Sequence, residues 1–446
     1  MVIFFLFFRD LGLGQALVRY VSAFKAENKF NEIKTTIVTI FLIQLPSSLI
    51  MAGIFFFLAP FLASAYFKDP RAELMLQLLT LYIIFSILFI TLKSTFLGLQ
   101  KSFAFASFDF SKNLLVLLFV ALLFYFGFTV LAPVIAYVLV CLALFLLYLP
   151  FLLRAFPFFA YQVGNIRTMA TQTVAFGLPV FFSSIGGRII GYTDTLFLTY
   201  FRPLQEVGIY NAVLPSAMIF VDIGTSLGLV IFPLTAELAM KKDTSRLSVG
   251  FELVHRYFLA GILPLMVILI LFSEIFLSVF FGTAYAAGTA AFRILLLGVF
   301  ALVIGSINGS IITGLGQPKE ITKIYIVAAL LNIVVNMLLI PPLGITGAAV
   351  TTFASYLYIF IRSTSVTCQQ LQTEFPGRSW LKIGFAGSGF AALAYALPKL
   401  LAFPWFVELP LSLLIALPVY FWLCCALKIF QLPEIKRYAQ LVFKQE

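Results

Sequence analysis

Asn332 and Asn336 stand four residues apart, a spacing that places both amides on one face of a helix. Asp194 lies in an earlier apolar run, and Thr351 and Thr352 lie in the run that follows Asn336. Carboxylate, amide and hydroxyl oxygens suit a hard cation. The same amides also suit interhelical hydrogen bonding, which glues apolar helices together. A second chemistry comes from basic residues inside apolar runs. Arg188 is mid-run beside Gly186 and Gly187, and Lys93 and Arg19 also fall within such runs. Ionisable groups inside a membrane span are costly unless paired or facing water. Arg matches phosphate oxygens with two parallel hydrogen bonds, so these three cations are the candidates to hold an anionic group. Asp109 and Lys112, three apart, are predicted to pair along one helix. Arg9 and Asp10 are adjacent and cannot share a helix face. Glu274 and Arg293 lie near enough to span ends to snorkel. His255, between Glu252 and Arg256, reads as part of a solvated helix end.

The elements that position these groups are set by composition. Of 446 residues, 62% are hydrophobic and 11% charged, against roughly half and a quarter in an ordinary globular chain. Such an excess of apolar surface requires hydrocarbon as its solvent. Apolar runs of about 20 residues cross a bilayer. Spans are predicted near 1–23, 35–62, 73–98, 103–127, 130–153, 170–201, 206–238, 250–281, 286–314, 320–341, 343–363, 380–399 and 405–429, about 13 in all. The fold class is therefore an all-α polytopic membrane protein.

The net charge of +11 does not form a basic stripe, so nucleic acid is excluded as a partner. Lys25, Lys29 and Lys34, then Lys101, Arg154 and Arg167, Lys241, Lys242 and Arg246, Lys319 and Lys323, and Arg362, Arg378 and Lys382 fall in alternate connections. Lys428, Lys436, Arg437 and Lys444 mark the tail. Positive residues concentrate on the cytoplasmic side, which puts these connections and the C-terminus in the cytoplasm. Every loop is short, which argues against an enzyme carrying catalytic groups on an outer loop. The cysteines Cys141, Cys368, Cys424 and Cys425 show no metal-binding spacing, and a single histidine excludes a multi-histidine site.

Three local patterns recur at nearly one offset, about 215 residues: Leu11-Gly-Leu-Gly14 with Ser226-Leu-Gly228-Leu, Phe96-Leu-Gly98 with Thr313-Gly314, and Phe126-Gly127-Phe-Thr with Leu343-Gly344-Ile-Thr. The offset covers an even number of spans, so the halves run parallel, and substrate sites of transporters built this way lie between such halves. The predicted organisation is an N-terminal lobe over 1–153, a cytoplasmic linker over 154–169, a C-terminal lobe over 170–370, and an extra helix pair with a tail over 371–446.

Asp10-Leu-Gly-Leu-Gly-Gln-Ala-Leu-Val-Arg-Tyr-Val-Ser22 resembles the second helix of polysaccharide-transporter flippases of the multidrug/oligosaccharidyl-lipid/polysaccharide (MOP) superfamily. Glu206-Val-Gly-Ile-Tyr-Asn-Ala212, Val279-Phe-Phe-Gly-Thr-Ala-Tyr285 and the Asn332/Asn336 segment with Pro341 and Gly344 resemble other stretches of that family. The resemblance covers essentially the whole chain. It implies two six-helix lobes plus a terminal pair, with the first family helix missing here. It implies transport of a polyprenyl-diphosphate-linked oligosaccharide across the cytoplasmic membrane, with Arg188, Lys93 and Arg19 toward the diphosphate. It implies membrane lipids, and glycan polymerase or glycosyltransferase machinery, as partners. Asp194, Asn332, Asn336 and Thr352 match the sodium site of the lipid II flippase branch, with Na+ or H+ as coupling ion. Asn336 stands where that branch carries an acid. The alternative is a multidrug and toxin extrusion (MATE) exporter of organic cations from the same superfamily, but the deep charges here lean basic.

Overall fold

A computed structural model describes residues 2–401 and 405–430. The tail over 431–446, with Lys436, Arg437 and Lys444, lies outside the described residues. The chain runs through α1 (Val2–Asp10), α2 (Leu13–Ala26), α3 (Phe30–Phe61), α4 (Ala72–Gly98), α5 (Ser102–Tyr125), α6 (Ala132–Ala155) and α7 (Ile166–Phe201). It continues through α8 (Leu204–Met240), α9 (Thr244–Leu271), α10 (Ser273–Phe281), α11 (Thr289–Gly314), α12 (Pro318–Leu371), α13 (Gly377–Leu401) and α14 (Trp405–Ala426). Among the described residues nine helices are long and apolar enough to cross a bilayer, and α7 makes a tenth when its two parts are taken as one span.

The difference from the expected count has physical causes. The predicted span over 1–23 is two short helices, broken where Leu11 and Gly12 take positive φ of 48° and 73°. The predicted spans over 320–341 and 343–363 are both present as the two helical limbs of α12, which meet at a change of direction at Gly344 (φ 56°, ψ −132°) after Pro341 and Pro342, so this long element, counted once above, holds two helices. That backbone conformation is open essentially to glycine alone. The predicted span over 405–429 corresponds to α14, Trp405–Ala426.

Large side chains face outward along these helices: Phe57 is 82% exposed, Phe103 88% and Leu229 78%. Water would not tolerate carbon surface of this extent; hydrocarbon does. In hydrocarbon, helices associate through close packing and hydrogen bonds, with small residues at the contacts.

The chain divides into two compact units, Met1–Arg188 and Ile189–Glu446. The first has its core where Leu17 and Val21 of α2 meet Phe96 of α4, Phe108 of α5 and Leu144 of α6. The second is built around α11, where Phe292, Leu295 and Val299 pack with Val213 of α8 and Ala348 of α12. Phe390 of α13 and Tyr420 of α14 join Leu259 and Ala260 of α9, and the Tyr420 hydroxyl donates to the Ala260 carbonyl at 2.7 Å.

The internal repeat is carried into atomic contacts inside each unit. A Cβ on Gly98 would lie 2.8 Å from Cβ of Val21, and one on Gly314 would lie 2.8 Å from Cβ of Thr235. The same pair of repeat positions thus brings α4 against α2 and α11 against α8.

Candidate functional site

Asp194, on α7, is 1% exposed, and Tyr210, Asn332, Asn336 and Thr352 are fully buried around it. The Tyr210 hydroxyl of α8 donates to Asp194 Oδ2 at 2.5 Å, and Thr352 Oγ1 donates to the same oxygen. Asn336 Nδ2 donates to Asp194 Oδ1 at 2.7 Å, and Asn332 Nδ2 reaches it at 3.3 Å. Asn336 Nδ2 also lies 3.0 Å from Asn332 Oδ1. A carboxylate offers about four lone-pair sites, so four donors saturate it. A buried carboxylate is tolerable only when paired or fully hydrogen-bonded.

The reversal at Gly344 assembles this cluster, because it lets one element present Asn332 and Asn336 before the kink and Thr352 after it. An ion pair braces the kink. Arg202, between α7 and α8, holds Glu206 through Nη2 at 2.7 Å and Nε at 3.1 Å, while its Nη1 reaches the Pro341 carbonyl at 3.4 Å. The Glu206 carboxylate raises the Arg202 guanidinium further above its ordinary value, so the brace stays charged.

Whether a cation fits here is decided by the oxygens. Asn336 Oδ1 is buried with no protein partner. Rotation of the two amides would turn Asn332 Oδ1 and Asn336 Oδ1 toward the carboxylate, giving oxygen-only coordination together with Thr352. With a single carboxylate and otherwise neutral oxygens, the donor set suits a monovalent ion or a proton. Thr351 is not part of the cluster; its hydroxyl donates to the Gly347 carbonyl at 3.0 Å.

The three deep cations all lie in the first unit. Arg19 of α2 is exposed, with its guanidinium carbon 4.2 Å from the Phe176 ring centroid. Arg188 of α7 is exposed. Lys93 of α4 is engaged: Nζ donates to both carboxylate oxygens of Asp109, at 2.7 and 2.6 Å. Asp109 therefore pairs across helices with Lys93 and not with Lys112 as the local spacing predicted.

Three features escaped the sequence. Tyr210 completes the Asp194 cluster, and its position on the helix after Asp194 gave no periodic signal. Arg9 is fully buried and donates through Nη1 to Ser86 Oγ at 2.7 Å, while Asp10 accepts from Gln44 Nε2 at 2.9 Å, so neighbours in sequence bond to different helices. His255 is 3% exposed, with Nε2 2.9 Å from Asn308 Oδ1, whose amide in turn donates to Thr364. The expected solvated helix end is thus a buried polar chain.

A family described as "Polysaccharide biosynthesis protein" matches residues 1–239, more than half of the chain. The chain belongs to this family. A second family, described as MatE, matches residues 179–338. A Methanocaldococcus jannaschii protein known as uncharacterized membrane protein MJ1068 is 29% identical over 394 residues, 85% of this chain and 78% of its own. The Haloferax volcanii probable low-salt glycan biosynthesis flippase Agl15 is 23% identical over 174 residues, 39% of this chain and 37% of its own. The fold matches that of the lipid II flippase MurJ in its inward closed conformation, with TM-score 0.76 and 15% identity over 95% of this chain and 90% of that one. It also matches an inward-facing multidrug resistance MATE transporter of the MOP superfamily, with TM-score 0.66 and 13% identity over 83% of this chain and 89% of that one. The fold is thus the polytopic, all-helical one that the resemblance implied.

Proposed function

We propose that this protein is a flippase that carries a polyprenyl-diphosphate-linked oligosaccharide across the cytoplasmic membrane by alternating access, coupled to Na+ or H+ at Asp194. The observation that carries the reading is the buried carboxylate shared by α7, α8 and α12, in a chain of the polysaccharide biosynthesis family. An ion moves a conformational equilibrium only through different affinities for the two states. Asp194 can supply that difference, because its partners sit on separate helices and on both sides of the Gly344 kink. Charging or neutralising one carboxyl changes the hydrogen bonds that hold all three elements together.

Arg19 and Arg188 carry the positive charge offered to the diphosphate. Lys93 contributes less, since Asp109 already neutralises it. The basic ends of the helices, with Lys25, Lys101, Arg154 and Lys241, face the cytoplasm, as the bias of positive charge requires. The C-terminus follows on the same side. The natural partners are the lipid-linked glycan, the surrounding lipids and the polymerase or glycosyltransferase machinery that makes or uses the glycan. The probable low-salt glycan biosynthesis flippase Agl15 of Haloferax volcanii, at 23% identity, supports a glycan-linked substrate, and the probable flippase AglR of the same organism, at 26%, supports the flippase role.

The test uses purified protein in liposomes with a fluorescent polyprenyl-diphosphate disaccharide, whose outer-leaflet fraction is read by chemical quenching. Protein-dependent movement that responds to an imposed Na+ or H+ gradient is expected. Movement no faster than in protein-free liposomes overturns the reading. A MATE-type exporter of organic cations is the second reading, favoured by the MatE match over 179–338. Gradient-driven uptake of ethidium by the same liposomes, without movement of the lipid, would establish it instead.

A further inference from the structure

In the first unit α3, α4 and α6 leave between them a groove of about 310 Å³. Ile37, Phe41, Leu92, Phe145 and Leu149 line it, together with Phe158 and Phe159. Its surface is almost wholly carbon, with two exceptions on α4, Thr91 and Thr95. The Thr95 hydroxyl donates to the Thr91 carbonyl at 2.7 Å. Thr91 is 8% exposed, and its Oγ1 has no protein partner. That hydroxyl is itself closed off from the groove, which therefore presents essentially carbon to a bound chain.

A cation lies beside the Phe158 lining of the groove. Lys34, one turn before Ile37 and Val38, has Nζ 4.9 Å from the Phe158 ring centroid and 2.7 Å from the Tyr161 carbonyl. An ammonium has three donors, so this one has capacity beyond Tyr161. Glu32, two residues earlier, lies against Gly164 and makes no ion pair with Lys34 among the described contacts. Thr91 lies seven residues before the end of α4, about 10 Å inside it.

We propose that this groove binds one acyl chain of an anionic phospholipid from the surrounding bilayer, with the phosphate at Lys34 and the chain along the carbon walls. Carbon walls with one cation beside them follow the order of groups along such a lipid. The volume is at the small end of ligand sites, which span roughly 300–1,000 Å³. It admits one acyl segment and not the many units of a polyprenyl carrier. The occupant is therefore a bilayer lipid and not the transported one, so the inference stands apart from the proposed function.

The probes are phosphatidylglycerol and phosphatidylcholine of equal chain length, added to the full-length protein in detergent and counted by native mass spectrometry. Phosphatidylglycerol carrying a photoreactive acyl chain is then crosslinked and mapped. Preferential retention of phosphatidylglycerol is expected, with crosslinks on α3, α4 and α6. Lys34→Ala should lower that retention about fivefold, the worth of one basic residue at an anionic surface. Lys29→Ala, at an exposed lysine paired with Glu27, should leave it unchanged. Leu149→Trp, which fills the groove, should abolish the crosslinks with the melting temperature held. Should that variant not fold, the map on the unaltered protein decides. Equal retention of both lipids, crosslinks confined to other helices, or displacement of phosphatidylglycerol by equimolar polyprenyl phosphate would each overturn the proposal.

Discussion

The hydroxyl of Tyr210 lies 2.5 Å from Oδ2 of Asp194, joining α8 to α7 through a carboxylate that also binds both limbs of α12. Tyr210→Phe deletes one donor and little else. A buried acceptor deprived of its partner costs about 1–3 kcal/mol. The variant should therefore lose stability in that range in thermal unfolding of the detergent-solubilised protein. Tyr210→Phe should cost more than Thr351→Val, whose hydroxyl bonds only within its own helix. Equal losses would mean that the Tyr210 contact adds nothing specific to the cluster.

Ion binding at Asp194 predicts opposite outcomes for two small changes. Asp194→Asn removes the only acid of the cluster, so stabilisation of the purified protein by added Na+ should vanish. Asn336→Asp places a second carboxylate beside the first, and a bound cation would offset their mutual repulsion. Apparent Na+ affinity should rise about tenfold, equivalent to 1.4 kcal/mol. The readout is the melting temperature titrated with NaCl against choline chloride. An undiminished Na+ response in Asp194→Asn rules out this cluster as the sodium site. Transport driven by a proton gradient in the unaltered protein would then identify H+ as its coupling ion.

How much of this was legible in sequence depends on whether a feature is local or rotational. Asn332 and Asn336 share a face by spacing alone, and the helices themselves follow from run length. The reversal at Gly344 was visible as a boundary between two spans, since Pro341, Pro342 and Gly344 interrupt the run. The partner of Asp109 was not legible. A local three-residue rule selects Lys112, but the rotation of α5 against α4 points the carboxylate at Lys93. His255 misled in the same way: neighbouring charges suggested solvent, while packing of α9 on α11 buried the ring against Asn308. Tyr210 belongs with these, because nothing in a sequence fixes which residue of the next helix faces a given carboxylate.

The Lys93–Asp109 pair gives a thermodynamic cycle. Removing either partner leaves the other charged among apolar helices, whereas removing both leaves neither. Lys93→Met and Asp109→Leu should each destabilise by about 1–3 kcal/mol, the cost of an orphaned polar group. The double variant should lie closer to the unaltered protein than either single one, as found when ion pairs in apolar surroundings are replaced by hydrophobic residues. Additive losses in the double variant would show that the two side chains act independently. If Lys93 also served the diphosphate, the double variant would keep its stability and lose transport.

Gly344 is the position where backbone strain and the site meet. Its φ of 56° and ψ of −132° exclude a side chain at low energy, and a Cβ there would crowd Glu206 and Arg202. Gly344→Ala should destabilise the protein by about 1–3 kcal/mol from the backbone alone. The larger effect should be on the site, since straightening α12 carries Thr352 away from Asn332 and Asn336. The Na+ response should therefore weaken in Gly344→Ala by more than its loss of stability explains. Glu206→Gln, which breaks the brace while sparing the glycine, separates the two causes. If the kink is held by the backbone, Glu206→Gln keeps the Na+ response; if Arg202 and Glu206 hold it, the response falls as in Gly344→Ala.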